Sequence, residues 1–184
     1  MKLPPQSKKV FTGEIFDVYH WQQEMFDGTT ETFEMLKRPD TLQIIPVIGN
    51  KILIAREEQP NKPLFTGLLG GRRDGDENPL AGAQRELREE TGCESDNWEL
   101  YRSFEPYTKM DWNVHIYIAR QCEKKYDPML DAGERITVDS VSFEEFLDIV
   151  ISPDFYGQEF AHEILSNLYK HPEKIDAFKK QLFV

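Results

Sequence analysis

Cysteine and long apolar runs are both scarce in this chain. Of its 184 residues only two are cysteine, Cys93 and Cys122. Each lies in an apolar context, so we expect unpaired thiols in a reducing cytoplasm rather than a disulfide. The start, MKLPPQSKK, has no apolar stretch after its charges, and no later stretch approaches the roughly 18 apolar residues of a membrane span. The sequence therefore predicts a cytoplasmic protein with neither export nor membrane insertion.

Positive charge is scarce as well. The chain has 22 Lys and Arg against 33 Asp and Glu, which gives a formal net charge of −11. A field of this sign repels the phosphates of nucleic acid polymers and argues against such a partner. A small phosphorylated ligand stays compatible with it, provided that metals and a few arginines supply positive charge locally.

Glutamates are concentrated in residues 71–93, GRRDGDENPLAGAQRELREETGC. Glu86, Glu89 and Glu90 stand at positions i, i+3 and i+4, so on a helix their carboxylates share one face. They repel one another, and the carbonyl end of the helix dipole disfavours them further. Hard oxygen ligands so placed are typical of a site for a divalent cation such as magnesium. The alternative is a solvated acidic face.

The ends of that helix follow from its flanking residues. Asn78 is a good N-cap, Pro79 suits the first helical position, and Gly92 suits the left-handed residue after the last turn. These signals predict a helix from about Pro79 to Thr91. The apolar positions that would face the core are Leu80, Ala81, Ala83 and Leu87. The carboxylate face is then expected to point away from the core.

The segment matches the pattern G-x5-E-x7-R-E-U-x-E-E-x-G-U of the Nudix hydrolase family, in which U is a bulky apolar residue. The eight matched positions are Gly71, Glu77, Arg85, Glu86, Leu87, Glu89, Glu90 and Gly92. Cys93 at the final U is a small departure that changes no charged position. The chain as a whole resembles the ADP-ribose and nucleoside-diphosphate-sugar pyrophosphatases of that family.

This resemblance implies a set of metal ligands. Glu86 and Glu90 would bind the metal, Glu89 would be a further ligand or would position water, and the main-chain carbonyl of Gly70 would complete the shell. Mg²⁺ is the expected ion, with Mn²⁺ as the alternative. Arg85 would orient the glutamates through charge-assisted hydrogen bonds.

The resemblance also implies a general base from outside the box. Glu134 lies directly before a predicted strand, Ile136 to Val138, where this group of enzymes often carries such a glutamate. Asp131 and Glu105 are alternatives. His115 lies within the apolar run NVHIYIA and is expected to be a strand residue rather than a base.

Substrate contacts are expected from two places. Arg72 and Arg73 directly follow Gly71 and are candidates for binding phosphate, with ordinary surface charge as the alternative. In the related pyrophosphatases an N-terminal sheet forms a homodimer and adds aromatic walls to the partner's site. Tyr19 and Trp21 would serve in that way, unless they only pack beneath their own sheet.

The coarse pattern of elements predicts an α+β fold. Two strands joined at Asp27-Gly28 form an N-terminal antiparallel β-hairpin within residues 1–38. Residues 39–184 would form a Nudix-type α/β/α sandwich, in which a mixed sheet lies between the box helix and C-terminal helices. Those later helices are expected at about 143–151, 154–169 and 172–182, the first opened by a capping box at Ser142.

The function implied by the resemblance is metal-dependent hydrolysis of the diphosphate linkage of ADP-ribose or another nucleoside-diphosphate sugar. The products would be a nucleoside monophosphate and a sugar phosphate. Two alternatives are a Nudix pyrophosphohydrolase of nucleoside triphosphates or dinucleoside polyphosphates, and a non-catalytic regulator that binds a nucleotide sugar. Retention of every acidic box residue argues against the regulator.

Overall fold

The computed structural model describes residues 2–60 and 62–184. The strands are β1 (Lys8–Thr12), β2 (Asp17–Glu24), β3 (Thr30–Lys37), β4 (Thr41–Ile48), β5 (Lys51–Gln59), β6 (Lys62–Gly67), β7 (Cys93–Glu94), β8 (Asn97–Phe104), β9 (Met110–Asp111), β10 (Val114–Arg120), β11 (Glu123–Lys124), β12 (Arg135–Val141) and β13 (Phe155–Tyr156). The helices are α1 (Pro79–Thr91), α2 (Phe143–Val150), α3 (Gln158–Lys170) and α4 (Pro172–Leu182).

A mixed sheet forms the centre of the fold and confirms the predicted sandwich. Its order is β13-β6-β5-β4-β10-β8, with β12 also paired to β5. The pair β4–β10 is parallel and the pair β10–β8 antiparallel. Alternate residues of β4 belong to two apolar clusters: Leu42 and Ile44 pack with Leu87 of α1, whereas Ile45 and Val47 belong with the C-terminal helices. The box helix and the C-terminal helices therefore cover separate faces.

Helix α1 begins and ends where its capping residues predict. The Asn78 side chain accepts a hydrogen bond from the Leu80 N–H, and Pro79 is the first helical residue. Gly92 adopts φ 71° and its N–H donates to the Arg88 carbonyl. The expectation that the carboxylate face points away from the core is wrong for Glu90, which is only 5% exposed.

The N-terminal hairpin is present but belongs to a larger sheet. Strands β2 and β3 are joined by a turn in which Asp27 accepts hydrogen bonds from Thr29 and Gly28 has φ 80°. Strand β1 adds to one side of this pair and β9 to the other. Because β9 lies in the connection between β8 and β10, the N-terminal sheet is bound to the central region by backbone hydrogen bonds. The division of the chain at residue 38 stays a prediction.

The C-terminal region differs from prediction at one helix start. The capping box of Ser142 and Glu145 opens α2 as expected. Helix α3 begins at Gln158 rather than near Asp154, because Phe155 and Tyr156 first pair in parallel with the end of β6. Strand β6 itself is not among the strands that the sequence predicts.

Two sequence expectations concern the environment of the chain. Cys93 and Cys122 are buried, free thiols. Within the described ranges, no helix combines the length and the apolarity needed to cross a membrane. The cytoplasmic location stays a prediction.

Replacing Gly92 by alanine should strongly destabilise the fold. A Cβ at this position would lie 1.9 Å from the Tyr126 carbonyl oxygen. That backbone cannot yield freely, since the N–H groups of Lys125 and Tyr126 donate to the Gly92 carbonyl. The left-handed strain of about 1–2 kcal/mol is thus increased by a backbone clash, and we expect a total loss of about 3 kcal/mol or more in urea unfolding.

Gly49→Ala is the matched control for this measurement. Gly49 also has positive φ, 58°, but no atom of the residues that the structure describes lies within 4 Å of the added Cβ. This variant should lose only the strain, about 1 kcal/mol. Equal losses in the two variants would contradict the predicted clash at Gly92.

Candidate active site

A glycine-rich segment, residues 68–73, is fixed against the edge of β4. The N–H of Leu42 donates to the Gly71 carbonyl at 2.9 Å, and the N–H of Ile44 donates to the Leu69 carbonyl at 2.8 Å. Gly70 has φ 126°, and a Cβ there would lie 2.1 Å from the Leu42 carbonyl oxygen. The segment can therefore approach β4 only with glycine at this position.

The carboxylate of Glu90 is buried beneath this segment. Its Oε2 accepts a hydrogen bond of 2.7 Å from the Gly70 N–H. A Cβ on Gly71 would lie 2.7 Å from both carboxylate oxygens of Glu86, so the second glycine also lies directly over the box glutamates. Burial raises the pKa of Glu90 well above its ordinary value, although the Gly70 hydrogen bond opposes that rise.

Arg85 is the cation that holds the exposed side of the box together. Its Nη1 lies 2.9 Å from oxygens of both Glu86 and Glu89, and its Nη2 lies 3.0 Å from Glu77 Oε1. Glu77 also accepts a hydrogen bond from the Asp74 N–H, so through Asp74 and Arg85 it joins the loop to the helix. Burial raises the pKa of Glu86 to about 7 despite the opposing charge of Arg85.

These residues line a cavity of about 360 Å³. Its carboxylates are Glu57, Asp74, Glu86, Glu89, Glu90, Asp131 and Glu134. Its cations are Arg38, Lys62, Arg72 and Arg85. Carboxylates therefore outnumber cations among the residues that line this cavity.

The candidate bases occupy different positions. Glu134 lines the cavity and is partly buried, and burial, followed by the charge of Glu57, raises its pKa. Asp131 lines the cavity too, and its carbonyl accepts a hydrogen bond from the Glu134 N–H. Glu105 is exposed and is not among the residues that line the cavity. His115 on β10 contacts Ser103 at 2.7 Å, as a strand residue facing its neighbour does.

The two arginines after Gly71 have separate environments. Arg72 lines the cavity. Arg73 instead donates from Nε to the Glu77 carbonyl at 2.7 Å, and its Nη1 lies 3.5 Å from Asp40. Arg73 is thus a contact that fixes the loop, whereas Arg72 faces the place where a ligand would bind.

Tyr19 and Trp21 lie in the N-terminal sheet, and neither lines the cavity of its own chain. Trp21 is buried, donates to Gln23 at 3.0 Å and packs its ring 5.8 Å from that of Phe33. Lys9 lies over the Tyr19 ring at 5.8 Å. A contribution of these rings to a partner's site stays a prediction.

The cavity includes residues that the sequence does not single out. Among them are Arg38, Gln43, Glu57, Gln59, Lys62, Phe65 and Tyr156. Glu57 carries a usable signal, because alternation along β5 places it on the face of the buried Leu53 and Ala55, where a carboxylate is unusual. No signal in the sequence identifies Phe65 and Tyr156, because they come together through the pairing of β6 with β13, two strands that are far apart in the chain.

The oxygen-rich chemistry of this wall fits a hard divalent cation. Burial raises the pKa values of the half-buried Glu86 and the buried Glu90, because it penalises their charged forms, and a bound cation would favour those charged forms. Within residues 2–60 and 62–184, however, no three His, Cys, Asp or Glu side chains converge as a metal cluster. Glu86 and Glu89 are instead paired with Arg85, and Glu90 with the Gly70 N–H.

Comparison with known proteins agrees with this geometry. The model of the NUDIX domain matches residues 37–164. The chain is 27% identical over 165 residues to a Bacillus subtilis (strain 168) protein named ADP-ribose pyrophosphatase, with 85% of this chain and 87% of the relative covered. It is also 27% identical over 160 residues to the methanol dehydrogenase activator of Bacillus methanolicus, with coverages of 84% and 85%.

A solved structure described as an ADP compounds hydrolase has the same fold. It superposes with a TM-score of 0.69 at 18% identity and covers 91% of this chain and 95% of its own. Since the family model spans more than half of the sequence, the chain belongs to the Nudix hydrolase family.

Proposed function

We propose that this protein hydrolyses the diphosphate linkage of ADP-ribose or another nucleoside-diphosphate sugar, releasing a nucleoside monophosphate and a sugar phosphate. The observation that carries the proposal is the cavity that Arg72 lines together with the box carboxylates Glu86, Glu89 and Glu90. A diphosphate needs metal-mediated neutralisation and a cation on its remaining oxygens, and this wall offers residues for both. The name of the Bacillus subtilis relative supports the choice of substrate.

The cofactor in this proposal is Mg²⁺, with Mn²⁺ as the alternative. Glu86, Glu90, Glu89 and the Gly70 carbonyl would hold it. When bound, such an ion neutralises charge on the phosphate oxygens and lowers the pKa of a bound water.

Three further residues have separate roles: one positions the carboxylates, one accepts a proton and one binds phosphate. Arg85 positions Glu86 and Glu89 through its hydrogen bonds. Glu134 accepts a proton from the attacking water, and its raised pKa suits that role near neutral pH. Arg72 binds a phosphate oxygen.

We propose that the protein forms a homodimer through the N-terminal sheets of its two copies. Strand β1 is an edge strand whose five residues are all exposed, and Phe11 is 60% exposed on it. An open edge strand that exposes Val10 and Phe11 favours pairing with another chain, which a second copy would satisfy. Tyr19 and Trp21 would then approach the partner's substrate.

In a panel of compounds assayed with Mg²⁺, we expect ADP-ribose or a nucleoside-diphosphate hexose to give the fastest monophosphate release. Nucleoside triphosphates and dinucleoside polyphosphates should be slower. Glu90→Gln should lower turnover of every compound by about 1,000-fold or more, because it removes a metal ligand. The fold should persist, since the amide oxygen introduced by this substitution can still accept from the Gly70 N–H. A triphosphate that leads the panel would reject the proposed substrate class.

Glu134→Gln should lower kcat by about 100-fold or more with little change in KM, because a missing general base affects the chemical step. The contribution of Glu134 to the acidic limb of the pH–rate profile should disappear as well, while protonation of Glu86, whose pKa burial raises to about 7, would still lower the rate in acid. Asp131→Asn is the control, since Asp131 lines the same cavity and lies on the same turn. Similar losses of kcat in the two variants would contradict the assignment of Glu134 as the general base.

Light scattering after size exclusion should give twice the chain mass of 21.6 kDa. Phe11→Glu should shift the protein toward the monomer, because it places a charge in the middle of the proposed interface. Leu165→Glu changes another exposed apolar residue, on α3, and should leave the mass unchanged. A wild-type protein that is monomeric at high concentration would rule out the dimer.

A further inference from the structure

Three cations of the cavity wall form no ion pair with any carboxylate that the structure describes. Arg38, Lys62 and Arg72 all line the cavity. Within residues 2–60 and 62–184, no Asp or Glu oxygen lies within 4.0 Å of their side-chain nitrogens. This is unexpected in a chain with 33 acidic and 22 basic residues. Arg85, on the same wall, is by contrast bound to several carboxylates.

Arg38 is held by aromatic faces instead. Its guanidinium carbon lies 4.7 Å from the Trp112 ring centre and 5.7 Å from that of Phe16. Trp112 is itself fixed, because its indole N–H donates to Thr41 at 3.1 Å and its ring stacks on Tyr107. The hydrogen bonds that Arg38 donates to its neighbouring carbonyl and to the Thr41 hydroxyl are long, 3.4 Å and 3.5 Å.

Lys62 has an equivalent environment. Its ammonium lies 3.6 Å from the ring centre of Phe65 and 3.8 Å from that of Tyr156. The two rings are in contact, with centres 4.8 Å apart. The charge of Glu57 acts on Lys62, but the Glu57 carboxylate accepts its hydrogen bond from Gln59.

An aromatic face fixes a cation without neutralising it. The charges of Arg38 and Lys62 are therefore not neutralised by an ion pair, while their positions are restricted. Burial lowers the pKa of Lys62, and the charge of Glu57 opposes that change. Burial lowers the pKa of Arg38, and the neighbouring charge of Arg72 lowers it further. Two cations that repel each other in a partly buried wall are stabilised when an anion binds between them.

We propose that Arg38, Arg72 and Lys62 form a subsite for a phosphate dianion that binds without metal. The charge on the ligand decides its class. A phosphate inside a diphosphate linkage carries one negative charge, whereas a phosphate monoester carries about two at neutral pH, which better matches three cations. The inference rests on the proposed function, since the monophosphate products of that reaction are phosphate monoesters.

Trp112 is the positioning residue of this subsite. Its ring holds the Arg38 guanidinium, and its indole N–H holds the Thr41 hydroxyl near that side chain. A phenylalanine would keep the aromatic face and lose only the N–H. A leucine would remove the face and free Arg38 to turn toward solvent.

The test is a calorimetric titration in EDTA with three phosphate compounds: inorganic phosphate, ribose 5-phosphate and AMP. Adenosine serves as the uncharged comparison. We expect the phosphate compounds to bind and Arg38→Gln to weaken each of them by about ten-fold, the loss of one charge-assisted hydrogen bond. Preference for ribose 5-phosphate or AMP would identify which product occupies the subsite, and equal affinities would identify the phosphate group alone.

Arg56→Gln is the charge-matched control. Arg56 forms an ion pair with Asp139 at 2.6 Å and does not line the cavity, so its loss changes the net charge equally. Phosphate affinity should be unchanged in this variant. Trp112→Phe should retain affinity and Trp112→Leu should lose it several-fold, with circular dichroism confirming that each variant is folded.

The inference is overturned if no phosphate compound binds in EDTA, or if Arg38→Gln and Arg56→Gln bind alike. These outcomes are separate from the proposed reaction, because the titration contains no metal and no substrate is hydrolysed. If the protein hydrolyses ADP-ribose but Arg38→Gln leaves its phosphate affinity unchanged, the proposed function stands and the proposed subsite is rejected. If the protein binds phosphate through Arg38 but hydrolyses no diphosphate, the proposed subsite stands and the proposed function is rejected.

Discussion

Burial of the Glu90 carboxylate beneath the glycine segment is the constraint on which the site depends. A carboxylate that is 5% exposed must be compensated, and the Gly70 N–H donates a hydrogen bond to it. That N–H is in place because Gly70 adopts φ 126° against the Leu42 carbonyl, where a side chain would collide. The end of α1, the glycine segment and the edge of β4 are consequently one unit, and a change in any of them would displace the carboxylates.

Two kinds of contact hold the arginines near the site in this acidic chain: ion pairs with carboxylates and contacts with aromatic rings. Arg73 and Arg85 are paired with Asp40, Glu77, Glu86 and Glu89, and they fix the loop and the box helix. By contrast, Arg38 on the cavity wall is held by aromatic faces. An ion pair neutralises the charge it fixes, whereas a π face does not, so only the second arrangement leaves charge for a ligand.

The sequence predicts what is decided locally. The ends of α1 and the capping box of α2 follow from side chains that bond to backbone groups a few residues away, and both match the structure. The sequence places the start of α3 too early because the pairing of Phe155 with Thr66 joins positions 89 residues apart. The burial of the Glu90 carboxylate is not predicted for a similar reason, because it depends on Gly70, twenty residues earlier in the chain.

The N-terminal sheet contributes to the site of its own chain, independently of any dimer. Strand β3 pairs with β9, and this pairing brings the segment containing Trp112 beside the end of β3. Arg38 follows directly after β3 and lies over the ring of that tryptophan, and its guanidinium also approaches Phe16, on the connection between β1 and β2. The guanidinium therefore reaches the cavity only when the sheet is docked. Because backbone pairing and aromatic stacking form together, loosening the N-terminal sheet would withdraw a cation from the cavity while leaving the box helix and its glutamates in place.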